Sequence, residues 1–257
     1  MANPFATAAM AAGYARRRPP VHRRVVEMAA RERGWRLPFR RAVDVGCGAG
    51  VSTKALEGMA EVVVGVEPAA RMLRGSGAVA PGSWFVAGAA EELPLANGSC
   101  DLMTAAGSLN YVDLEAFFPE ARRVLGPEGV LLVYDFSPGR RFREGSGLED
   151  WFGEFQRRYP PPVAEARVLD PEVLGGLAAG FEVAGSERFE VGVALSREFY
   201  EGYMMTETNV AAALRAGVAE EEIEGWCRRS VAAIWPEGER EVMFAGYWAC
   251  LRPAGGC

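Results

Sequence analysis

Three glycines stand at alternate positions in Val43-Asp44-Val45-Gly46-Cys47-Gly48-Ala49-Gly50, directly after a β-branched run. Glycine is required where a backbone turns through positive φ or must touch a ligand without a side chain in between. If that run is a strand and the turn opens a helix, the free N–H groups and partial positive charge of the helix start favour an anion. Glu67 follows Gly46 by 21 residues, at the end of the next β-branched run. An acid there can accept both hydroxyls of a ribose. The pattern therefore predicts a nucleoside-bearing ligand across the carboxyl ends of two neighbouring strands. Dinucleotide loops usually run GxGxxG, whereas this one runs GxGxG. Asp44, two residues before the first glycine, suits a ligand with an ammonium group.

Other chemistries have fewer residues to use. The 257-residue chain has one histidine, His22, so a Ser-His-Asp or Cys-His apparatus would have to be built on a residue set among arginines. Five cysteines, at 47, 100, 227, 250 and 257, are odd in number and show no CxxC pair. No metal is expected, and free thiols in a cytoplasmic, reducing setting fit best. The start of the chain lacks a signal-peptide pattern, and no apolar window is long enough to span a membrane. A formal charge of −6 argues against nucleic acid. The balance is uneven: residues 1–41 carry net +8, all from arginine, and the remainder −14. A solvated basic helix explains most of that; one or two of these arginines paired with an anionic group at a site is the sharper expectation.

Hydrophobic periodicity supplies the elements that would position the glycine loop. A helix is expected at 21–34, with strands at 41–45, 61–66, 83–87, 100–106 and 130–136. Helices at 51–59, 68–74 and 114–125 lie between them. Pro119 is expected to start the main part of the last of these helices, and Gly126-Pro-Glu-Gly129 to close it. Five strand–helix alternations with short connections predict an α/β fold with a parallel sheet. The second half breaks this rhythm. Helices are expected at 148–158 and 171–179, a long strand at 181–195, helical sequence over 197–235 and a final strand at 239–253.

The chain resembles the class I S-adenosylmethionine-dependent methyltransferases. The resemblance runs through VDVGCGAG, VVVGVEPAARML, FVAGAAEELPLANGSCDLMTAAGSLNYVD and ARRVLGPEGVLLVYDF, which cover most of residues 41–136. Within that class it is similar to the trans-aconitate methyltransferase type, whose Tyr-x-x-x-Arg-Pro arm matches Tyr14 to Pro19. The resemblance implies a Rossmann-like, mostly parallel seven-stranded sheet of order 3-2-1-4-5-7-6, with one antiparallel edge strand. It implies one domain over 1–257, made of an N-terminal helical arm (1–40), a cofactor-binding core (41–139) and cap insertions at 140–180 and 196–238. It also implies that Gly46, Cys47, Gly48 and Gly50 line the methionine moiety of the cofactor and that Asp44 faces its amino group through backbone or water. Glu67 would hold the ribose, Pro68, Ala90 and Glu91 would flank the adenine, and Ala106 would meet the cofactor after strand four. Tyr14 and Arg18 would close over its carboxylate.

The expected reaction is methyl transfer from S-adenosylmethionine to the O, N or C of a small molecule, with a carboxylate or hydroxyl acceptor favoured and S-adenosylhomocysteine as product. A carboxylate needs no base, whereas an alcohol often does. Asn110, Tyr111 and Asp135 are candidate catalytic residues, with Glu198 and Tyr134 as further candidate bases. Arg157, Arg158 and Arg197 could bind an acidic acceptor. Trp151, Phe152, Phe155, Tyr200, Tyr203 and Trp226, at helical spacing, read as core more than as pocket. Two alternatives stay open: an NAD(P)-binding oxidoreductase, and a non-catalytic S-adenosylmethionine-binding relative.

Overall fold

The computed structural model describes residue 15 and residues 17–162 and 167–255. The strands are β1 (Phe39–Val45), β2 (Ala60–Glu67), β3 (Trp84–Ala87), β4 (Cys100–Ala106), β5 (Leu125–Phe136), β6 (Arg141–Phe142), β7 (Phe181–Ser196) and β8 (Glu239–Pro253). The helices are α1 (Val21–Glu32), α2 (Val51–Leu56), α3 (Ser76–Val79), α4 (Leu114–Val124) and α5 (Leu148–Arg158). They continue with α6 (Pro171–Leu177), α7 (Arg197–Met204), α8 (Thr208–Arg215) and α9 (Glu220–Ile234).

The sheet runs β3-β2-β1-β4-β5-β8, and β7 pairs with the far side of β8. Strands β1 to β5 are parallel, and β8 is antiparallel to both β5 and β7. Counted without the two-residue β6, which also pairs with β8, this is the expected order, with the antiparallel strand at this edge and next to last. Alternation along the strands assigns the two faces. Leu102, Leu132 and Tyr134 pack with α1, α2 and the helices of the second half. Val43, Val45, Met103, Ala105, Leu131 and Val133 pack with α4 and α6 on the other face. No described helix is long and apolar enough to cross a membrane.

Local chemistry shifts several expected boundaries. Pro119 lies inside α4 and does not start it. The helix begins five residues earlier because Asp113 caps it, accepting from the Glu115 amide, and because Leu114, Phe117 and Phe118 are buried on the core side. After β2, Glu67 takes the Ala69 amide, so the chain turns first; a 3₁₀ turn at Met72–Gly75 precedes α3, in place of a helix over 68–74. Gly126 to Gly129 lie within β5 as a bulge, since Cys100 pairs with Leu125 and Leu102 with Val130. The 197–235 stretch is three helices. Thr206 donates both its amide and its hydroxyl to the Tyr203 carbonyl, ending α7, and Gly217, at φ +90°, follows the end of α8.

Candidate active site at the strand tips

The carboxyl ends of β2, β1, β4 and β5 form one crest. At β1, Gly46, Gly48 and Gly50 adopt φ of +70°, +55° and +89°. Gly46 is the most constrained: a Cβ there would overlap the Ser108 side chain, so the loop and the β4 tip can meet only through glycine. Glu67 is buried, and its carboxylate reaches across to the loop. Its Oε2 accepts from the Gly48 amide at 3.1 Å and its Oε1 from the Ala69 amide at 2.9 Å. Burial pushes its carboxyl above the ordinary range, and the two amides oppose that shift. Lone pairs remain on both oxygens for further donors.

Asp44 lies beneath the loop, fully enclosed. Its Oδ2 accepts from Ser52 at 2.6 Å and Thr53 at 2.8 Å, and its Oδ1 from Thr104 at 2.9 Å. Burial raises its carboxyl, and the three hydroxyls hold it back. The geometry ties β1, the start of α2 and β4 together under the glycines. Asp44 is thus placed to support the loop from below, with its oxygens on these hydroxyls and not open on the crevice. Cys47 is buried, and burial, then Asp44 and Glu67, push its thiol well above the usual range.

The loop after β3 lies beside the β2 tip. Ala90 is buried and Pro68 exposed. Glu91 turns toward α4, where its Oε1 accepts from the Asp113 amide at 3.0 Å. Two residues of α4 fasten the rest of this loop. Glu120 accepts from the Leu93 amide at 2.7 Å, and Arg123, paired to Glu120, donates to the carbonyls of Leu93 and Leu95 and to Asn97 Oδ1.

Ala106 ends β4, and the segment beyond it bridges the β1 and β5 tips. Ser108 donates to the Val45 carbonyl at 2.6 Å and the Gly107 amide to the Tyr134 carbonyl at 2.9 Å. Asn110 Nδ2 donates to Asp135 Oδ2 at 3.0 Å. The Phe136 amide donates to Asp135 Oδ1 at 2.8 Å. Burial raises the Asp135 carboxyl, against the Asn110 and Phe136 donors and the more distant Arg18. Tyr111 is on the same turn and 46% exposed.

Arg18, which acts electrostatically on Asp135, links the start of the chain to its second half. Arg18 Nη1 donates to Glu207 Oε1 at 2.9 Å, and its guanidinium carbon lies 5.3 Å from the centre of the Tyr203 ring. Glu207 is the residue before α8, so this pair joins arm to cap. His22, in the first turn of α1, shares a 3.0 Å hydrogen bond with the Tyr134 hydroxyl. Burial, and then Arg18, hold its pKa down at about 3, so it is neutral. Tyr14 lies outside the described residues.

The structure brings Asp44, the glycine loop, Glu67, Ala106, Asn110 and Asp135 onto one crest. It places other candidates elsewhere. Glu198 is on the exposed side of α7 beside Arg197, and Tyr134 is buried against His22. Arg158 pairs with Glu222 and packs over Tyr159 and Trp226. Arg197 is held by Glu201 and the Pro236 carbonyl. Trp151 and Trp226 stack, and Phe152, Phe155, Tyr200 and Tyr203 are buried in the same cluster. Sequence reasoning missed Glu207 and the position of His22. His22 shares helical spacing with Val25, Val26 and Ala29, which was a readable signal for a buried face; Glu207 carried none.

The family described as "Methyltransferase domain" matches residues 43–133. The chain is 36% identical over 141 residues to an uncharacterized methyltransferase of Mycobacterium bovis, covering 54% of this chain and 56% of that one. It is 32% identical over 136 residues to a demethylmenaquinone methyltransferase of Beutenbergia cavernae, covering 52% and 55%. The chain thus spans just over half the length of these relatives. In fold it is similar to a protein of Anaeromyxobacter dehalogenans described as a type II methyltransferase, with TM-score 0.65, 23% identity, and 84% and 91% coverage. It is also similar to the cyclase SpnF, with TM-score 0.53, 18% identity, and 91% and 82% coverage.

Proposed function

Since the chain carries a methyltransferase domain at residues 43–133 and has the class I methyltransferase fold, we propose that it transfers a methyl group from S-adenosylmethionine to a small-molecule acceptor. The observation that carries this reading is the pairing of Glu67 with the glycine loop. Its carboxylate accepts from the Gly48 amide of that loop and from the Ala69 amide of the turn after β2, beside a loop that carries no side chain at Gly46, Gly48 or Gly50. That donor set fits an adenosyl group: an anchored acid for a ribose diol and side-chain-free backbone for the amino-acid end.

The cofactor supplies a sulfonium-activated methyl group. The chain's own residues do the rest. Glu67 binds the ribose hydroxyls. Gly46, Cys47, Gly48 and Gly50 line the methionine end, and Asp44 holds their backbone in place. Pro68, Ala90 and Glu91 border the adenine side, which Glu120 and Arg123 fasten to α4. Ala106 and the turn after it separate donor from acceptor. Arg18 and Glu207 close arm against cap and exclude water, which an in-line displacement requires. We place the protein in a reducing, cytosolic setting, a reading supported by the four described cysteines being buried free thiols.

Calorimetric titration with S-adenosylhomocysteine and, separately, with NAD tests this. The expected result is binding of the first only, and loss of most of that affinity in Glu67→Ala. Binding of NAD, or unchanged affinity in Glu67→Ala, overturns the assignment. The likeness to SpnF shows this sheet in a protein named for a different reaction, so cofactor binding and methyl transfer are separate measurements.

A further inference from the structure

We propose that Asp135, oriented by Asn110, is the catalytic base of this site, and that the acceptor it serves presents a hydroxyl group and not a carboxylate. The inference rests on the methyl-transfer reading above and adds the acceptor class.

The other described acids at the crest are already engaged. Asp44 is engaged by three hydroxyls, Glu67 by the Gly48 and Ala69 amides and Glu207 by Arg18. Glu91 accepts from the α4 start. Asp135 accepts one donor on each oxygen, Phe136 N on Oδ1 and Asn110 Nδ2 on Oδ2. Among the described residues no arginine lies within ion-pair distance of it. A carboxylate offers roughly four acceptor sites, so each Asp135 oxygen keeps room for another donor.

Position gives the second part. β5 follows β4 in the sheet, so Asp135 lies beyond the 106–110 segment from the glycine loop. With a donor seated across β1 and β2, an in-line acceptor belongs on this far side. The bridging segment is fixed at both ends, by Ser108 on Val45 and by Gly107 on Tyr134. Gly107 also keeps Asp135 open: a Cβ there would stand 3.0 Å from Oδ1.

Charge gives the third. Arg18, which lowers the Asp135 carboxyl electrostatically, is paired with Glu207. Among the described residues no cation forms an ion pair with Asp135, so a carboxylate acceptor would face an acid there, whereas a neutral hydroxyl would donate to it. The groups facing Asp135 are Asn110 from the β4 turn, Arg18 from the arm and Tyr247 from β8. Burial lifts the carboxyl toward neutrality, which better matches it to a proton-transfer role.

The step balances. The acceptor O–H proton passes to Asp135 while an oxygen lone pair forms the new C–O bond. The C–S bond of the sulfonium donor breaks with its electron pair left on sulfur. The products are a methyl ether, a neutral thioether and a protonated Asp135, which returns its proton to solvent.

The test uses the full chain saturated with S-adenosylhomocysteine and ¹³C-labelled at aspartate carboxyls. Phenol and benzoate are titrated separately, with Asp135→Asn identifying the resonance. The expected result is a shift of the Asp135 signal with phenol and none with benzoate. In parallel, S-adenosylmethionine is incubated with a panel of phenols and benzyl alcohols and the matching carboxylic acids. Methyl ethers are expected, with a rate that rises with pH through the Asp135 titration. At least a hundredfold loss is expected in Asp135→Asn, with S-adenosylhomocysteine affinity and melting temperature unchanged and Asp135→Glu partly active. Methyl esters as the products, no ether from any hydroxyl compound, a benzoate-induced shift at Asp135, or full turnover by Asp135→Asn would each overturn the proposal while leaving cofactor binding intact. Failure to bind S-adenosylhomocysteine would instead remove the reading beneath it.

Discussion

Arg18 and Glu207 are 189 positions apart in sequence, yet they share a 2.9 Å hydrogen bond. Their side chains are only 16% and 11% exposed, so both charges are held largely out of water beside one another. Removing one partner of such a pair leaves an uncompensated charge, which costs more than removing both. Glu207→Leu should therefore be more destabilising than the Arg18→Leu/Glu207→Leu double variant. A coupling energy of about 1–3 kcal/mol is expected from urea denaturation of the four proteins. A coupling near zero would mean that the pair does not hold the arm to the cap.

Gly107 and Gly217 separate a backbone effect from a site effect. Both adopt positive φ, +64° and +90°. Only Gly107 faces a functional candidate, since a Cβ at Gly217 would meet nothing within 4 Å. Alanine at either position should cost about 1 kcal/mol or more of stability from the left-handed backbone alone. Only Gly107→Ala should also lower turnover, by crowding Asp135, with S-adenosylhomocysteine affinity retained. Equal activities for the two variants would remove Gly107 from the site.

Arg123 gives a remote test of the adenine side. Its guanidinium reaches Glu120, Asn97 and the carbonyls of Leu93 and Leu95 at once. A lysine keeps the charge but not the fork. Arg123→Lys should weaken S-adenosylhomocysteine binding roughly tenfold, about 1.4 kcal/mol. Faster amide exchange over residues 93–98 should accompany it. Unchanged exchange in that stretch would show that the loop holds its shape without the fork.

His22 predicts a signed pH effect. Its pKa is about 3 in the folded protein, against an ordinary value of 6.5, because burial and Arg18 disfavour the charged ring. The unfolded chain therefore binds a proton below pH 6.5 that the folded chain refuses, so this residue costs stability as pH falls from about 6.5 toward about 3. The raised carboxyls of Asp44, Glu67, Asp135 and Glu207 act in the opposite sense over their own range. The comparison must therefore be differential. The stability of His22→Gln relative to the parent should improve steadily between pH 6.5 and 4.5, read by thermal melts in matched buffers. A pH-independent difference would contradict a buried neutral imidazole.

The parts of the site legible in the sequence were those whose physical demands are local. The glycine loop announces itself because positive φ and close backbone approach exclude other residues, and Glu67 because one βα crossover fixes its distance from the loop. The role of Asp44 was harder to read. Thr104, one of its three partners, is its register neighbour across β1 and β4, so the contact appears only once strand pairing is known. Pro119 misled because its ring was weighed as a helix start, while the Asp113 cap and three buried apolar side chains decided the boundary. Glu207 could not be found: nothing around Thr206 and Glu207 marks a partner for an arginine near the other end of the chain.

The two longest strands set how the cover can move. β7 and β8, 16 and 15 residues long, pair along nearly their whole length, and their ladder runs past the point where β8 leaves β5. α1 and α7 both rest on this ribbon, and α9 leans on α7. α1, α7 and α9 therefore share one foundation, and a displacement of that ribbon carries all three. Admission of substrates should follow a single relaxation, reported alike by Trp151, Trp226 and Trp235, and not a sequence of separate latches.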